Sequence, residues 1–242
     1  MTNVLEGRPC LIVGASGNIG ETVAVRLSQS GRKLALTHSP RSAPTVDIPS
    51  AIWYQIDVTD SAQVTELVTK VERDFGASPD LVYCAGIVRD SAISFISDEI
   101  WHSVIDANLN GAFYLIREVA KKIVTEEDGR IVLISSVSAT KGNPGQLSYS
   151  ATKGALESMC RVIAVELGRY GVTCNVVSPG IIESRMVKDT PPRSVERLLK
   201  KTPLRKVGKP EDVASLVDYL LTAEARYITG QIIQVDGGMT AA

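Results

Sequence analysis

Tyr149 and Lys153 stand four positions apart in the run SYSATK, residues 148–153, behind a stretch rich in glycine and proline. In a helix that spacing puts both side chains one turn apart on the same face. An ammonium held there favours the phenolate and draws a phenol of ordinary pKa about 10 towards neutrality, which makes the tyrosine a usable general acid or base. Lysine is common enough for such a pair to arise by chance, so other groups have to stand with it. Ser136 follows the apolar run RIVLIS. A serine at the carboxyl end of a strand either donates a hydrogen bond to a carbonyl oxygen or simply terminates the strand. Asn108, in VIDANLNGAFYLI, is an uncommon helix-interior residue followed by Asn110 and Gly111. That pattern marks a local kink or a water-binding position, with a helix-packing contact as the alternative.

A second set of residues fits a dinucleotide. LIVGASGNIG runs from an apolar strand through Gly14, Gly17 and Gly20 into a helix. Glycines there let backbone amides and a helix N-terminus approach a pyrophosphate, although the same turn also serves as a tight strand-to-helix connection. Asp57, in QIDVTD, either accepts a hydrogen bond from an adenine amino group or belongs to a helix start. The second strand ends in LTHSPR, with no Asp or Glu to grip a ribose 2′-hydroxyl. Thr37, His38, Ser39 and Arg41 offer hydroxyls and a guanidinium suited to a 2′-phosphate, which points to NADPH rather than NADH.

The elements that must hold these groups alternate along the chain. CLIVG, KLALT, AIWYQI, LVYCAG, RIVLIS, VTCNVVS and QIIQV read as strands, and helical periodicity covers residues 18–30, 61–75, 98–125, 148–170 and 210–221. The pattern predicts an α/β fold in which residues 1–242 form a single doubly wound Rossmann-type domain around a seven-stranded parallel sheet. HSPRSAPTVDIPS, with Pro40, Pro44 and Pro49, reads as a loop in place of a crossover helix. In residues 189–210 prolines flank a basic amphipathic turn, which is either a lid over a site or a plain surface excursion.

Composition removes several function classes. With 26 basic against 27 acidic residues and a formal charge of −1 there is no basic field for nucleic acid. Cys10, Cys84, Cys160 and Cys174 are widely spaced and form no zinc or redox motif, so no metal is expected and a reducing compartment is. MTNVLEGRPC lacks the basic patch and apolar run of a signal peptide, and no stretch approaches eighteen uninterrupted apolar residues. A cytoplasmic protein with no membrane partner is the expectation.

Over nearly its full length the chain resembles the short-chain dehydrogenase/reductases. The likeness rests on Ser136 with Tyr149-x-x-x-Lys153, Asn108 in NLNG, Asp57 before VTD, CAG at 84–86, NVVSPG at 175–180 and ITGQIIQVDGGM at 228–239. Within that family it is most similar to the 3-oxoacyl-(acyl-carrier-protein) reductases, from GIVRD through GNPGQLSYSATKGAL to DGGM. Two departures stand out: the middle glycine of the family's phosphate loop is displaced to Gly17, and Tyr83 and Cys84 replace a pair of asparagines.

The resemblance implies a catalytic set of Asn108, Ser136, Tyr149 and Lys153. Tyr149 would protonate a nascent alkoxide, Ser136 polarise the carbonyl, Lys153 hold the nicotinamide ribose and Asn108 sustain a water-linked proton path. It also implies an NADPH/NADP+ site formed by Gly14, Ser16, Gly17, Asn18, Ile19, Gly20, Thr37, His38, Ser39, Arg41, Asp57, Val58, Ala85, Gly86, Pro179, Gly180 and Ile182, together with Tyr149 and Lys153. The implied substrate is a 3-oxoacyl thioester on acyl-carrier protein or coenzyme A, reduced to the 3-hydroxyacyl product, with residues 182–201 closing over the acyl chain. Arg193, Arg197, Lys200 and Lys201 would meet the acidic carrier, whereas Glu126, Glu127 and Asp128 oppose it. A homotetramer, with a homodimer next, is the implied assembly, alone or with a ketoreductase-like partner subunit. The alternatives are an NAD(P)-dependent dehydrogenase of a sugar, steroid or small alcohol and a non-catalytic structural subunit.

Overall fold

Strands that are apolar at nearly every position need a sheet covered on both faces. The computed structural model describes residues 7–44, 46–184, 187, 189 and 191–241. Its strands are β1 (Cys10–Val13), β2 (Leu34–His38), β3 (Ala51–Gln55), β4 (Asp80–Tyr83), β5 (Gly129–Ile134), β6 (Val172–Pro179) and β7 (Ile232–Val235). They form one sheet of order β3-β2-β1-β4-β5-β6-β7, and every neighbouring pair is parallel. The helices are α1 (Asn18–Gln29), α2 (Ser61–Phe75), α3 (Asp98–Ile105), α4 (Gly111–Ile123), α5 (Leu147–Leu167), α6 (Pro192–Lys200) and α7 (Pro210–Leu220). This is the doubly wound Rossmann-type arrangement expected from the alternation of elements.

Side chains alternate between the two faces of a strand. Leu11, Leu81, Tyr83, Ile131 and Leu133 pack on one face beneath α2, α4 and α5, while Cys10, Ile12, Val82, Val132 and Ile134 pack on the other beneath α1 and α7. Each fully buried leucine here contributes roughly 1.5–3 kcal/mol. Helix starts follow local chemistry: the Asp60 side chain accepts from the amides of Ala62 and Gln63 and so starts α2.

Two regions differ from the periodicity. The helix expected over 98–125 is interrupted by a π turn at Asp106–Asn110 between α3 and α4, which is the irregularity that Asn108 signalled. The proline-bounded stretch at 189–210 holds a complete helix, α6, because a proline at the first turn is preorganised for one. The connection from β2 to β3 carries no helix among the described residues, in keeping with its prolines. Residues 1–6 and, within the expected lid at 182–201, Arg185, Met186, Lys188 and Thr190 lie outside the described residues. Among the described residues no helix is long and apolar enough to cross a membrane.

At the amino-terminal edge of the sheet Asp80 is fully buried. Its carboxylate accepts from Arg32 Nη1 at 2.9 Å and from the backbone amide of Arg130 at 2.8 Å. The Arg8 guanidinium lies 4.0 Å away. Removing this carboxylate takes a partner from buried Arg8, part-buried Arg32 and the Arg130 amide at once, so Asp80→Ala should cost about 3 kcal/mol or more. Urea unfolding checks this, and a midpoint equal to that of the wild type would show that the cluster bears no such weight.

Candidate active site

From β1 the chain runs outward to β2 and β3, then returns to β4 on the other flank of β1. The loops after β1 and β4 therefore diverge at the carboxyl ends of neighbouring strands, the place where open α/β sheets take ligands. They start almost in contact. A Cβ on Gly14, whose φ is +83°, would lie 2.7 Å from Ala85 Cα, and one on Gly20 would lie 2.2 Å from the Gly14 carbonyl oxygen. Only glycine fits at either position. Gly17 precedes α1 without a side-chain cap, so the first amides of the helix remain as donors for phosphate oxygens. The displaced glycine costs little, because Asn18 is simply the first residue of the helix and needs no left-handed backbone. Its Nδ2 donates to the Glu183 carbonyl at 2.7 Å and ties the loop to the segment after β6.

A cleft of about 800 Å³ opens there. It brings together Gly14, Gly17, Asn18, Ile19, Gly20, Gly86, Ser136, Tyr149, Lys153, Pro179, Gly180 and Ile182. Ser16, Thr37, His38, Ser39, Arg41, Asp57, Val58, Ala85 and Asn108 are outside this lining. The Thr37 hydroxyl, 1% exposed, accepts from the Gly14 amide at 3.0 Å and so holds the loop from behind. Ser42, not singled out in the sequence, joins Ser16 and Ser39: its hydroxyl lies 3.0 Å and 3.1 Å from theirs. His38 Nδ1 is 2.8 Å from the Ser42 carbonyl oxygen, and Arg41 is exposed beside this cluster. Asp57 accepts from the amide and hydroxyl of Thr59, which shapes a turn.

Within the cleft Ser136 follows β5, and α5 presents Tyr149 and Lys153. Ser136 and Tyr149 both line the cleft, and the Ser136 hydroxyl accepts from the Ser138 amide at 3.1 Å. Lys153 is 3% exposed. Its Nζ donates to the Ile134 carbonyl at 2.8 Å and lies 5.5 Å from the centre of the Tyr149 ring. The expectation that this ammonium draws Tyr149 towards neutrality is corrected here. Burial pushes the phenol up, the nearby Ser136 hydroxyl works against that, and the Asp90 carboxylate adds to the rise. Burial also lowers Lys153, to about 8.

Asn108 is wholly buried behind these groups. Its Oδ1 accepts from the Ile87 amide at 2.7 Å, and its Nδ2 donates to the Ile87 carbonyl and to Thr152 Oγ1 at 3.0 Å and 3.2 Å. Tyr83, one of the two departures, donates its hydroxyl to the Ala107 carbonyl at 2.7 Å and so caps the π turn. Cys84, the other, lines the cleft. The sequence reading also missed Ser138, Asn143 and Gln146 on the opposite wall. Ser138 Oγ donates to Gln146 Oε1 at 2.9 Å, and Asn143 Nδ2 reaches both. The signal available for Gln146 was its place one helical turn before Tyr149.

A glycine-walled loop at the carboxyl ends of the strands and a cleft that gathers Ser136, Tyr149 and the buried Lys153 fit an oxidoreductase that works with a nicotinamide cofactor. A family profile described as enoyl-(acyl carrier protein) reductase matches residues 14–240, and the chain belongs to the short-chain dehydrogenase/reductase family. Among its relatives is the 3-oxoacyl-(acyl-carrier-protein) reductase FabG of Thermotoga maritima, 35% identical over 97% of this chain and 98% of that one. The reductase MabA of Mycobacterium tuberculosis, with the same activity name, is 37% identical over 96% and 92%. A crystal structure of a provisionally named gluconate dehydrogenase from Agrobacterium tumefaciens superposes with a TM-score of 0.90 at 28% identity, covering 98% of each chain.

The shift of Lys153 carries a stability signature. Because its value falls from 10.5 unfolded to about 8 folded, the unfolded chain binds more protons at this position between those values. Its contribution to stability therefore rises with pH through that window. The unfolding free energy of the cofactor-free protein, measured against Lys153→Met, should move in favour of the wild type from about pH 8 to about pH 10.5. A difference that stays flat with pH would refute the shift.

Proposed function

We propose that this protein is an NADPH-dependent reductase of 3-oxoacyl thioesters, with the thioester carried by acyl-carrier protein. The observation that carries the reading is that Ser136, Tyr149 and buried Lys153 line one cleft, with Lys153 Nζ 5.5 Å from the centre of the Tyr149 ring. In this reading the two hydroxyls receive one carbonyl oxygen between them. The nicotinamide, when bound, supplies the hydride. Ser136 donates to the oxygen as negative charge grows on it, and Tyr149 releases its proton to the resulting alkoxide. In this reading Lys153 holds the nicotinamide ribose, and its positive charge favours the phenolate left behind. Asn108 has its amide fully engaged, so it acts by fixing the Ile87 backbone and the π turn, beside which water would return the proton.

The cofactor preference rests on the end of β2, where the Ser16, Ser39 and Ser42 hydroxyls and Arg41 stand in place of a carboxylate. Carrier docking is assigned to α6 and its exit, with Arg193, Arg197, Lys200 and Lys201, next to Leu198 and Lys201 of the cleft lining. The opposing acids are partly neutralised within the chain: Glu126 pairs with Arg8 at 2.9 Å and Asp128 with Arg130 at 2.5 Å. We assign a homotetramer on the exposed apolar Phe113, Val162 and Val165 of α4 and α5 and on the half-exposed edge strand β7, faces that further copies would cover. A dehydrogenase of a sugar acid or small alcohol is the second reading, favoured by the gluconate dehydrogenase likeness.

Acetoacetyl thioester reduction followed at the reduced-nicotinamide absorbance tests the reading. Tyr149→Phe should lose roughly a hundredfold or more in turnover while still binding cofactor, and near-normal turnover would sink the mechanism. Comparison of kcat/KM should favour NADPH over NADH, and Arg41→Ala should narrow the gap. Equal use of the two cofactors by the wild type would refute the assignment of the β2 cluster.

A further inference from the structure

The chain that follows β7 turns back on itself at Asp236–Thr240. Asp236 fastens the turn by accepting from the Gly238 amide and from the amide and hydroxyl of Thr240, at 2.8, 2.8 and 2.7 Å. Two walls of the cleft then close on it. From the exit of α6, the Leu204 amide donates to the Gly237 carbonyl at 3.0 Å. A Cβ on Gly238 would lie 2.9 Å from Pro203 Cγ, so the turn is pressed against that segment. From the loop between Ser136 and Tyr149, Lys141 Nζ donates to the Met239 carbonyl, 98 residues away in sequence.

Met239 is 6% exposed, yet it packs in neither of the two helix-covered cores of the sheet. It lines the cleft instead, as do Val137, Ile181, Val187 and Leu198. These apolar residues share the cleft with the phosphate loop and the serine–tyrosine pair, and an apolar wall is what an alkyl chain needs. A methionine at such a place is unbranched and movable, so its position depends on how its backbone is held.

We infer that Met239 is a specificity-determining residue that limits the length of acyl chain the cleft accepts, and that Lys141 is the positioning residue that holds it there. The inference rests on the proposed reduction of 3-oxoacyl thioesters and adds the substrate dimension that reading leaves open. Lys141 works through one backbone carbonyl. An arginine can therefore replace it and a methionine of similar length cannot.

The test is the ratio of kcat/KM for long over short substrates, measured with the full-length enzyme. Unbranched 3-oxoacyl thioesters from 3-oxobutanoyl to 3-oxododecanoyl form one series, and methyl ketones of matched length form a parallel one. Met239→Ala should raise the long-to-short ratio about tenfold or more, and Met239→Phe should lower it, since single methylenes in an apolar pocket already discriminate at that level. Lys141→Met should move the ratio in the direction of Met239→Ala, chiefly through KM, and Lys141→Arg should restore it. A ratio that is the same in the wild type and both Met239 variants overturns the assignment. Lys141→Met changing overall rate but not the ratio removes Lys141 from it. Activity on ketones without activity on thioesters defeats the proposed substrate class while the ketone series still decides on Met239. Inactivity on both series overturns the two readings together.

Discussion

The buried side-chain amide of Asn108 is the constraint on which the site depends. An amide carried out of water costs several kilocalories per mole unless its donors and acceptor are all met. Here they are met by groups that belong to different elements: both backbone atoms of Ile87, in the loop after β4, and the hydroxyl of Thr152 on α5. Thr152 in turn donates to the Tyr149 carbonyl at 2.8 Å. One side chain therefore fixes the distance between α5, which carries Tyr149 and Lys153, and the loop that faces the glycine turn after β1. The π turn makes this possible, since an α-helical path through Asp106–Asn110 would rotate Asn108 away, and Tyr83 takes up a carbonyl of that turn.

The same tightness explains why the neighbouring positions are small. A Cβ on Gly86 would stand 3.3 Å from Asn108 Oδ1 and 3.6 Å from Lys153 Nζ. A Cβ on Gly111 would stand 2.9 Å from the Tyr83 hydroxyl oxygen. Backbone is thus brought against the polar groups from both sides. The replacement of the family's two asparagines by Tyr83 and Cys84 is compatible with this tightness because Tyr83 points inward to the π turn and is fully buried.

Much of the architecture was legible in the sequence for a physical reason: strands buried on both faces must be apolar throughout, and the prolines of residues 40–49 forbid a crossover helix. The Tyr149 and Lys153 spacing was legible because a helix converts it directly into proximity. What could not be read were effects of depth and of long-range contact. The rise of the Tyr149 pKa comes from burial, which no spacing reveals. Thr37 looked like a phosphate ligand because its hydroxyl was visible and the amide of Gly14 that occupies it was not. Lys141 and Met239 sit in unrelated stretches of sequence and meet only because the turn after β7 folds across the cleft.

Burial shifts the two titrating groups of the site in opposite senses, and both shifts bear on the direction of the chemistry. A phenol raised above its ordinary value keeps its proton throughout the neutral range. That is the form needed to protonate an alkoxide, whereas oxidation of an alcohol needs the phenolate first. Lys153, lowered to about 8, is still largely cationic at neutral pH and sits within reach of the ring. In the proposed reduction the phenolate left after transfer would therefore form beside a cation and the Ser136 hydroxyl of the same cleft. Both interactions strengthen as charge develops, and neither has to be built at that moment. On that proposal acid strength would be supplied during proton transfer, while the resting protein holds Tyr149 in the protonated form that a reduction consumes.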